Sequence, residues 1–254
     1  MLRVHDLDVA FHPGEALEKK VLNGFDLEAE DGEFICFLGS NGSGKSTLFN
    51  ALLGKIPYTG EVVLDEKSID KEKPHVRCRK IGIVFQDPLK GSAPNLTVME
   101  NLILAMPKGR KRKEYLETCK KELSAYGLGL EDNFKTEVKS LSGGMRQALT
   151  LYMASLGEPR VLLLDEHIAA LDPNAANRVM AITNELVKRH PKMIALMVIH
   201  NVRLALEYGE RLILLKEGKI ALDRKGEAKK KLSEEELLKS YQDQSALETV
   251  LGST

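Results

Sequence analysis

The 254-residue chain is 43% hydrophobic and 29% charged, a globular composition with enough length for one large α/β domain or one domain carrying an inserted subdomain. Thirty-seven basic residues are balanced by thirty-seven acidic ones, so no net field draws the molecule to DNA or RNA, and nucleic acid is not an expected partner. No apolar run approaches the roughly 18 residues of a membrane span, the N-terminus lacks a signal-peptide layout, and Cys36, Cys78 and Cys119 lack the number and spacing of a disulfide framework or zinc site, which points to the cytosol.

Residues 2–11 and Val21 to Glu28 alternate loosely and predict an antiparallel strand pair, with His12-Pro13-Gly14 opening the loop between them. Phe11, near the end of the first strand, either packs in the core or presents its face to a nucleotide base. Phe34-Ile35-Cys36-Phe37-Leu38 is an apolar strand, and Thr47 to Leu53 reads as a helix. Between them stands Gly39-Ser40-Asn41-Gly42-Ser43-Gly44-Lys45-Ser46, a full match to G-x-x-x-x-G-K-[ST] in the strand–loop–helix context that the pattern requires. The glycines allow a turn tight enough for backbone N–H groups to point inward at an anion, and the helix that follows adds its positive dipole end. Lys45 is expected to reach the outer phosphates of a nucleotide and Ser46 to hold Mg²⁺.

Gly60 to Asp65 predicts a further short strand and 65–80 a surface loop. Ile81-Gly82-Ile83-Val84-Phe85 reads as a strand buried on both faces, ending at Gln86-Asp87-Pro88. The texture then changes to a helical insertion from about 88 to 140: a T-x-x-E capping box at Thr97 and Glu100, and a helix from Tyr115 to Tyr126 before Gly127. Within it, Lys108-Gly109-Arg110-Lys111-Arg112-Lys113 is a basic run, either a solvated face or a contact for anionic lipid headgroups. Ser140-Leu141-Ser142-Gly143-Gly144-Met145 opens another helix, ended by Gly157 and Pro159; its Ser-Gly-Gly turn is an ordinary N-cap or a second anion site.

Val161 to Leu164 is an apolar strand ending in Asp165-Glu166, on the sheet edge where ligands sit in open parallel sheets, unless the pair simply caps a helix. Asp172-Pro173 starts a helix with Ala176, Val179, Met180, Leu186 and Val187 on its buried face. Met193 to Ile199 is a buried strand ending in His200, which is structural or functional by its place at the same kind of strand end. Residues 211–215 and 220–222 predict a closing hairpin around Lys216-Glu217-Gly218-Lys219, and Ser233 with Glu236 a capping box opening a terminal helix in the charged tail.

The ordered set of phosphate loop, Gln86, Leu141-Ser142-Gly143-Gly144-Met145, Asp165-Glu166 and His200 resembles the nucleotide-binding subunit of ABC transporters over nearly the whole chain. The resemblance implies an α/β fold: a P-loop NTPase core with a mostly parallel sheet (1–86 and 161–225), an N-terminal antiparallel β subdomain, an inserted helical subdomain (87–160) and a C-terminal helical tail (226–254). It implies ATP and Mg²⁺ as cofactors. Gly39, Ser40, Asn41, Gly42, Ser43, Gly44, Lys45, Ser46 and Thr47 would cradle the phosphates, and Phe11 would stack on adenine. Asp165 and Gln86 would join Ser46 at the metal. Glu166, His200 and Lys45 would be catalytic, with Glu166 polarising the attacking water and His200 contacting the γ-phosphate. Ser142, Gly143 and Gly144, with Asp172 of the D-loop, would serve a nucleotide held by a second copy, so that two ATP molecules are sandwiched head to tail.

The same resemblance implies integral-membrane permease subunits, indirectly a solute-binding protein, and a place on the cytoplasmic face of the membrane. Met145 stands where the family has Gln, His167-Ile168 where Pro-Thr is common, and Phe11 where Tyr is usual. The run Asp165 to Pro173, with Phe85 to Pro88 and Met197 to Asn201, is similar to the bacterial branch of tryptophan/tyrosine-type or related small-solute uptake. A soluble ABC ATPase in assembly or DNA maintenance shares these motifs, whereas a P-loop small-molecule kinase would not need Ser142.

Overall fold

The computed structural model describes residues 1–12, 19–237 and 239. They form two compact units, one of residues 1–78 with 194 onward and one of residues 79–193.

In the first unit, β1 (Leu2–Phe11) and β2 (Lys19–Ala29) pair antiparallel, as their alternation predicts. β4 (Thr59–Leu64) pairs with the other side of β1, and β5 (Lys67–Ser68) closes this four-stranded antiparallel sheet in the order β2-β1-β4-β5. Pro13 and Gly14 of the predicted loop lie outside the described residues. A second sheet is built on β3 (Phe34–Leu38), which is buried along its whole length. It lies parallel to both β8 (Ile194–Val198) and β9 (Arg211–Lys216), and β10 (Lys219–Lys225) turns back antiparallel on β9. Continuous apolar runs such as Phe34-Ile35-Cys36-Phe37-Leu38 suit parallel strands covered on both faces. α1 (Lys45–Leu52) follows β3, and α7 (Val202–Glu207) follows β8.

The stretch 65–80 is more than the surface loop expected of it. It contains β5, the fully buried Ile69 and a short helix α2 (Pro74–Arg77), and Arg77 is 1% exposed. A polar sequence reads as a loop by composition, but this arginine goes inside because five of its hydrogen bonds are met there. Nε donates to Glu72 O, Nη1 to Ala51 O at 2.9 Å and Leu52 O at 3.0 Å, and Nη2 to the Tyr58 hydroxyl and Asp70 O. The guanidinium thereby satisfies carbonyls in the last turn of α1, where a helix runs out of internal donors.

In the second unit, β6 (Ile81–Val84) and β7 (Val161–Asp165) pair parallel, Val84 opposite Leu164. Between them in sequence come α3 (Val98–Leu104), α4 (Arg112–Ser124) and α5 (Gly143–Ser155). The Thr97 capping box is formed, with Glu100 N–H donating to Thr97 Oγ1 and Thr97 N–H to Glu100 Oε2. α6 (Pro173–Arg189) follows β7 with Asp172 as its cap and Pro173 at its first position. A short helix, α8 (Glu227–Lys230), belongs to the first unit and lies in the stretch from 226 expected as a helical tail. The Ser233 capping box is present, with Glu236 N–H donating to Ser233 Oγ at 3.1 Å, and most of the helix it was expected to open lies outside the described residues.

Candidate functional site

The phosphate loop leaves β3 and enters α1 with Gly39, Gly42 and Gly44 all at positive φ, the last at 107°. At Gly39 a Cβ would lie 2.5 Å from Ser43 Oγ and 2.6 Å from Leu215 O; at Gly44 it would lie 2.7 Å from Leu22 Cδ2. Both positions therefore need glycine for backbone conformation and for space. Lys45 is 6% exposed, and its ammonium donates to Gly39 O and Ser40 O, both at 2.7 Å, and to Ser43 Oγ at 3.3 Å. The lysine thus holds the loop in its curved form with the same charge that an anion in the cradle would meet. Asn41, Gly42 and Ser46 are exposed along the loop and Thr47 is half-buried behind it.

One support was not foreseen. The β9–β10 turn packs against the loop, Gly218 N–H donating to Ser43 O at 3.1 Å. A Cβ on Gly218 would sit 2.2 Å from Val21 O. Its only signal in the sequence is that of a hairpin glycine, and the close approach comes from distant segments meeting.

His200 follows β8, which lies beside β3 with Phe37 opposite Val198. Ile199 N–H donates to Phe37 O at 3.1 Å. His200 and the phosphate loop therefore leave the same edge of adjacent parallel strands, the edge at which such sheets bind ligands. The histidine is exposed, and Asn201 next to it caps α7 by accepting from Leu204 N–H. Phe11 ends β1 at 43% exposure. Core packing, one of its two sequence readings, is thereby excluded.

In the second unit, the β6–β7 register carries Gln86 and Asp165-Glu166 to one strand edge. Gln86, Asp87 and Asp165 line an open hollow together with Arg146 and Ala170. Asp87 caps the 3₁₀ turn Pro88–Gly91 by accepting from Leu89 N–H at 2.9 Å. Gln147, 1% exposed, donates from Nε2 to Phe85 O at 3.1 Å and so ties α5 to the residue before Gln86, a tether the sequence reading did not single out. Glu166 sits at φ 48°, a left-handed conformation uncommon for a non-glycine residue and concentrated at functional sites. Ala169 N–H donates to Glu166 O, which closes the turn behind it.

Ser142 is an exposed N-cap of α5, its Oγ accepting from Met145 N–H at 3.3 Å. Asp172 caps α6 by accepting from Asn174 and Ala175 N–H at 3.1 and 3.0 Å. The two caps are brought together because α5 and α6 approach closely at their starts. A Cβ on Gly144 would lie 3.1 Å from Ala175 Cβ, and one on Gly143 would lie 3.2 Å from Leu171 Cδ2. The Ser-Gly-Gly turn is therefore a working N-cap that leaves Ser142 on the surface.

No helix among the described residues is long and apolar enough to cross a membrane. Residues 22–169 match the ABC transporter family. The chain is also 39% identical over 251 residues to a tyrosine transport ATP-binding protein of Clostridioides difficile (strain R20291), covering 95% of this chain and 99% of that one. The chain belongs to the ABC transporter family. This ABC transporter subunit binds and hydrolyses ATP, as the cassettes of its family do. Its fold is shared with cbiO1 of Clostridium perfringens, described as part of the ABC transporter complex cbiONQ: TM-score 0.78 and 27% identity over 94% of this chain and 93% of that one. It is shared as well with MJ0796, a bacterial ABC transporter cassette solved as a dimer, at TM-score 0.76 and 27% identity over 89% of this chain and 98% of that one.

Proposed function

We propose that this ABC transporter subunit powers import of a small, amino-acid-like solute from the cytoplasmic face of the membrane, and that it works as a head-to-tail dimer of identical chains bound to permease subunits. The observation that carries the reading is the 39% identity, nearly end to end, to a chain named for tyrosine transport. The expected organisation is a nucleotide-binding core over 1–86 and 161–225, a helical subdomain over 87–160 and a tail from 226.

Hydrolysis requires charge neutralisation at the outer phosphates and a positioned water. The first is the task of the loop from Gly39 to Thr47, whose N–H groups and Lys45 ammonium meet the phosphate oxygens. Ser46, Asp165 and Gln86 present hydroxyl, carboxylate and amide oxygens, the hard donors that suit Mg²⁺. When bound, Mg²⁺ neutralises charge on the β- and γ-phosphate oxygens. Glu166 orients the attacking water and draws on its proton, and His200 donates to the γ-phosphate. Phe11, exposed at a strand end, offers a face for the adenine ring. Ser142, Gly143 and Gly144, with Asp172, serve the nucleotide on the opposing copy, so that ATP joins the two chains and loss of its γ-phosphate releases them. Closure and opening are then a population shift driven by contacts that only the triphosphate makes.

The test is the oligomeric state of Glu166→Gln by light scattering. With Mg-ATP it is expected to be a stable dimer with turnover reduced about 10²-fold or more, and adding Ser142→Arg is expected to return it to monomer. A Glu166→Gln chain that stays monomeric at saturating Mg-ATP would contradict the sandwich. Turnover unaffected by Lys45→Ala would show that the phosphate loop is misassigned.

A further inference from the structure

The basic run singled out in the sequence has no part in the nucleotide site. Lys108, Arg110, Lys111, Arg112 and Lys113 are all exposed, bent around Gly109 at φ 84° between α3 and α4. Just ahead of them Leu104, the last residue of α3, is 67% exposed, an apolar side chain in water. Lys111 faces Glu114 at 3.5 Å, both side chains largely solvated, and Arg112 lies within electrostatic reach of Glu100, which leaves the cluster net positive.

Two bland explanations fail. α4 already carries its dipole-supporting charges, Glu114 in the first turn and Lys121 in the last, whereas Arg112 and Lys113 open the helix, where they oppose the macrodipole. Nor does the chain draw solubility from net charge, since its formal charge is zero. Five cations within six residues therefore answer to something outside α4. With a screening length of about 8 Å at physiological salt, a partner feels the local cluster and not the neutral whole.

We infer that residues 104–113 form a docking surface for anionic lipid headgroups, with the cations on the headgroup phosphates and Leu104 entering the interface between headgroups and chains. Charge complementarity argues for this occupant, because a cytoplasmic leaflet is anionic and juxtaposed Lys and Arg residues each contribute to binding at its surface. A basic surface with an exposed leucine at its margin also matches the combined apolar and electrostatic recognition of interfacial segments. The inference rests on the reading that this subunit works at the membrane. It adds a contact with lipid itself, independent of the permease.

The experiment is co-sedimentation of the purified chain with phosphatidylcholine vesicles and with vesicles containing phosphatidylglycerol, without nucleotide or permease. Binding is expected only to the anionic vesicles, to fall about fivefold for each neutralised residue, and to be lost in high salt. Lys108→Ser/Arg110→Ser/Lys111→Ser/Lys113→Ser should reduce it to the level on neutral vesicles, and Lys108→Arg/Lys111→Arg/Lys113→Arg should keep it. Equal binding to both vesicle types, or full binding by the serine variant, would overturn the inference. So would displacement by millimolar glycerol phosphate, which would point to a free phosphate ligand, or by single-stranded RNA bound more tightly than the vesicles. Because the serine variant should hydrolyse ATP at the wild-type rate, failure of the lipid contact is separable from failure of the ATPase reading.

Discussion

His167 stands beside the proposed catalytic Glu166, and one hydroxyl fixes its tautomer. Thr183 Oγ1 donates to Val179 O at 2.8 Å, so toward His167 Nε2, 3.1 Å away, its oxygen can only accept. The imidazole therefore carries its proton on Nε2. Nδ1 is buried without a hydrogen-bond partner, and complete burial holds the pKa down to about 3. Below about 6.5 the unfolded chain takes up a proton that the folded chain refuses, so stability falls with pH from there toward 3. At pH 5 the loss from this residue is about 2 kcal/mol. Urea unfolding at pH 7 and pH 5 should show His167→Gln losing less stability on acidification than the wild type by about that amount, whereas equal losses would mean the ring is not held neutral. The sequence shows His167 only as a departure from the family's common proline, because burial is a property of the residues around it.

At the scale of elements, α1, the helix that leaves the glycine-rich loop, is held at both ends by segments far from it in sequence. Its start is fixed by the loop and by the hairpin turn at Gly218. Its end is fixed by Arg77, whose Nη1 takes the carbonyls of Ala51 and Leu52. Replacing Arg77 by Met would keep much of the bulk but take the guanidinium donor from Leu52 O and leave Ala51 O with its bond from Gly54 N–H, and the expected cost is about 3 kcal/mol in chemical denaturation. A change within about 0.5 kcal/mol, the range of ordinary surface substitutions, would show that α1 does not need this cap. Local capping could be read ahead of time: Thr97 with Glu100, Asp172 with Pro173, and Ser233 with Glu236 all cap as their spacing predicts, since each cap is completed within a few residues. The cap on α1 could not, because its donor comes from 25 residues downstream of Leu52.

At the scale of the molecule, formal charge is zero and no described helix could span a bilayer. Under the proposed function, energy from ATP is passed to membrane partners. Extraction of native membranes in mild detergent should recover this chain with a protein of several membrane spans. Recovery entirely in the soluble fraction with only non-membrane partners would favour an assembly or maintenance role. The proposed site residues fall in both compact units: Phe11, the phosphate loop and His200 in the first, Gln86, Ser142, Asp165, Glu166 and Asp172 in the second.

The sequence by itself determined the phosphate loop, the strand-end placement of Gln86, Asp165 and His200, most of the strands and helices, and the family. These depend on chemistry and periodicity confined to short stretches, where each residue's neighbours are known. Only the tertiary structure decided that Phe11 is exposed, that Arg77 goes inside, that Gln147 tethers the backbone ahead of Gln86 and that Gly144 lets the caps at Ser142 and Asp172 meet. For Arg77, Gln147 and Gly144 the deciding contact joins segments distant along the chain, and for all four burial or exposure is set by what packs there and not by the residue alone.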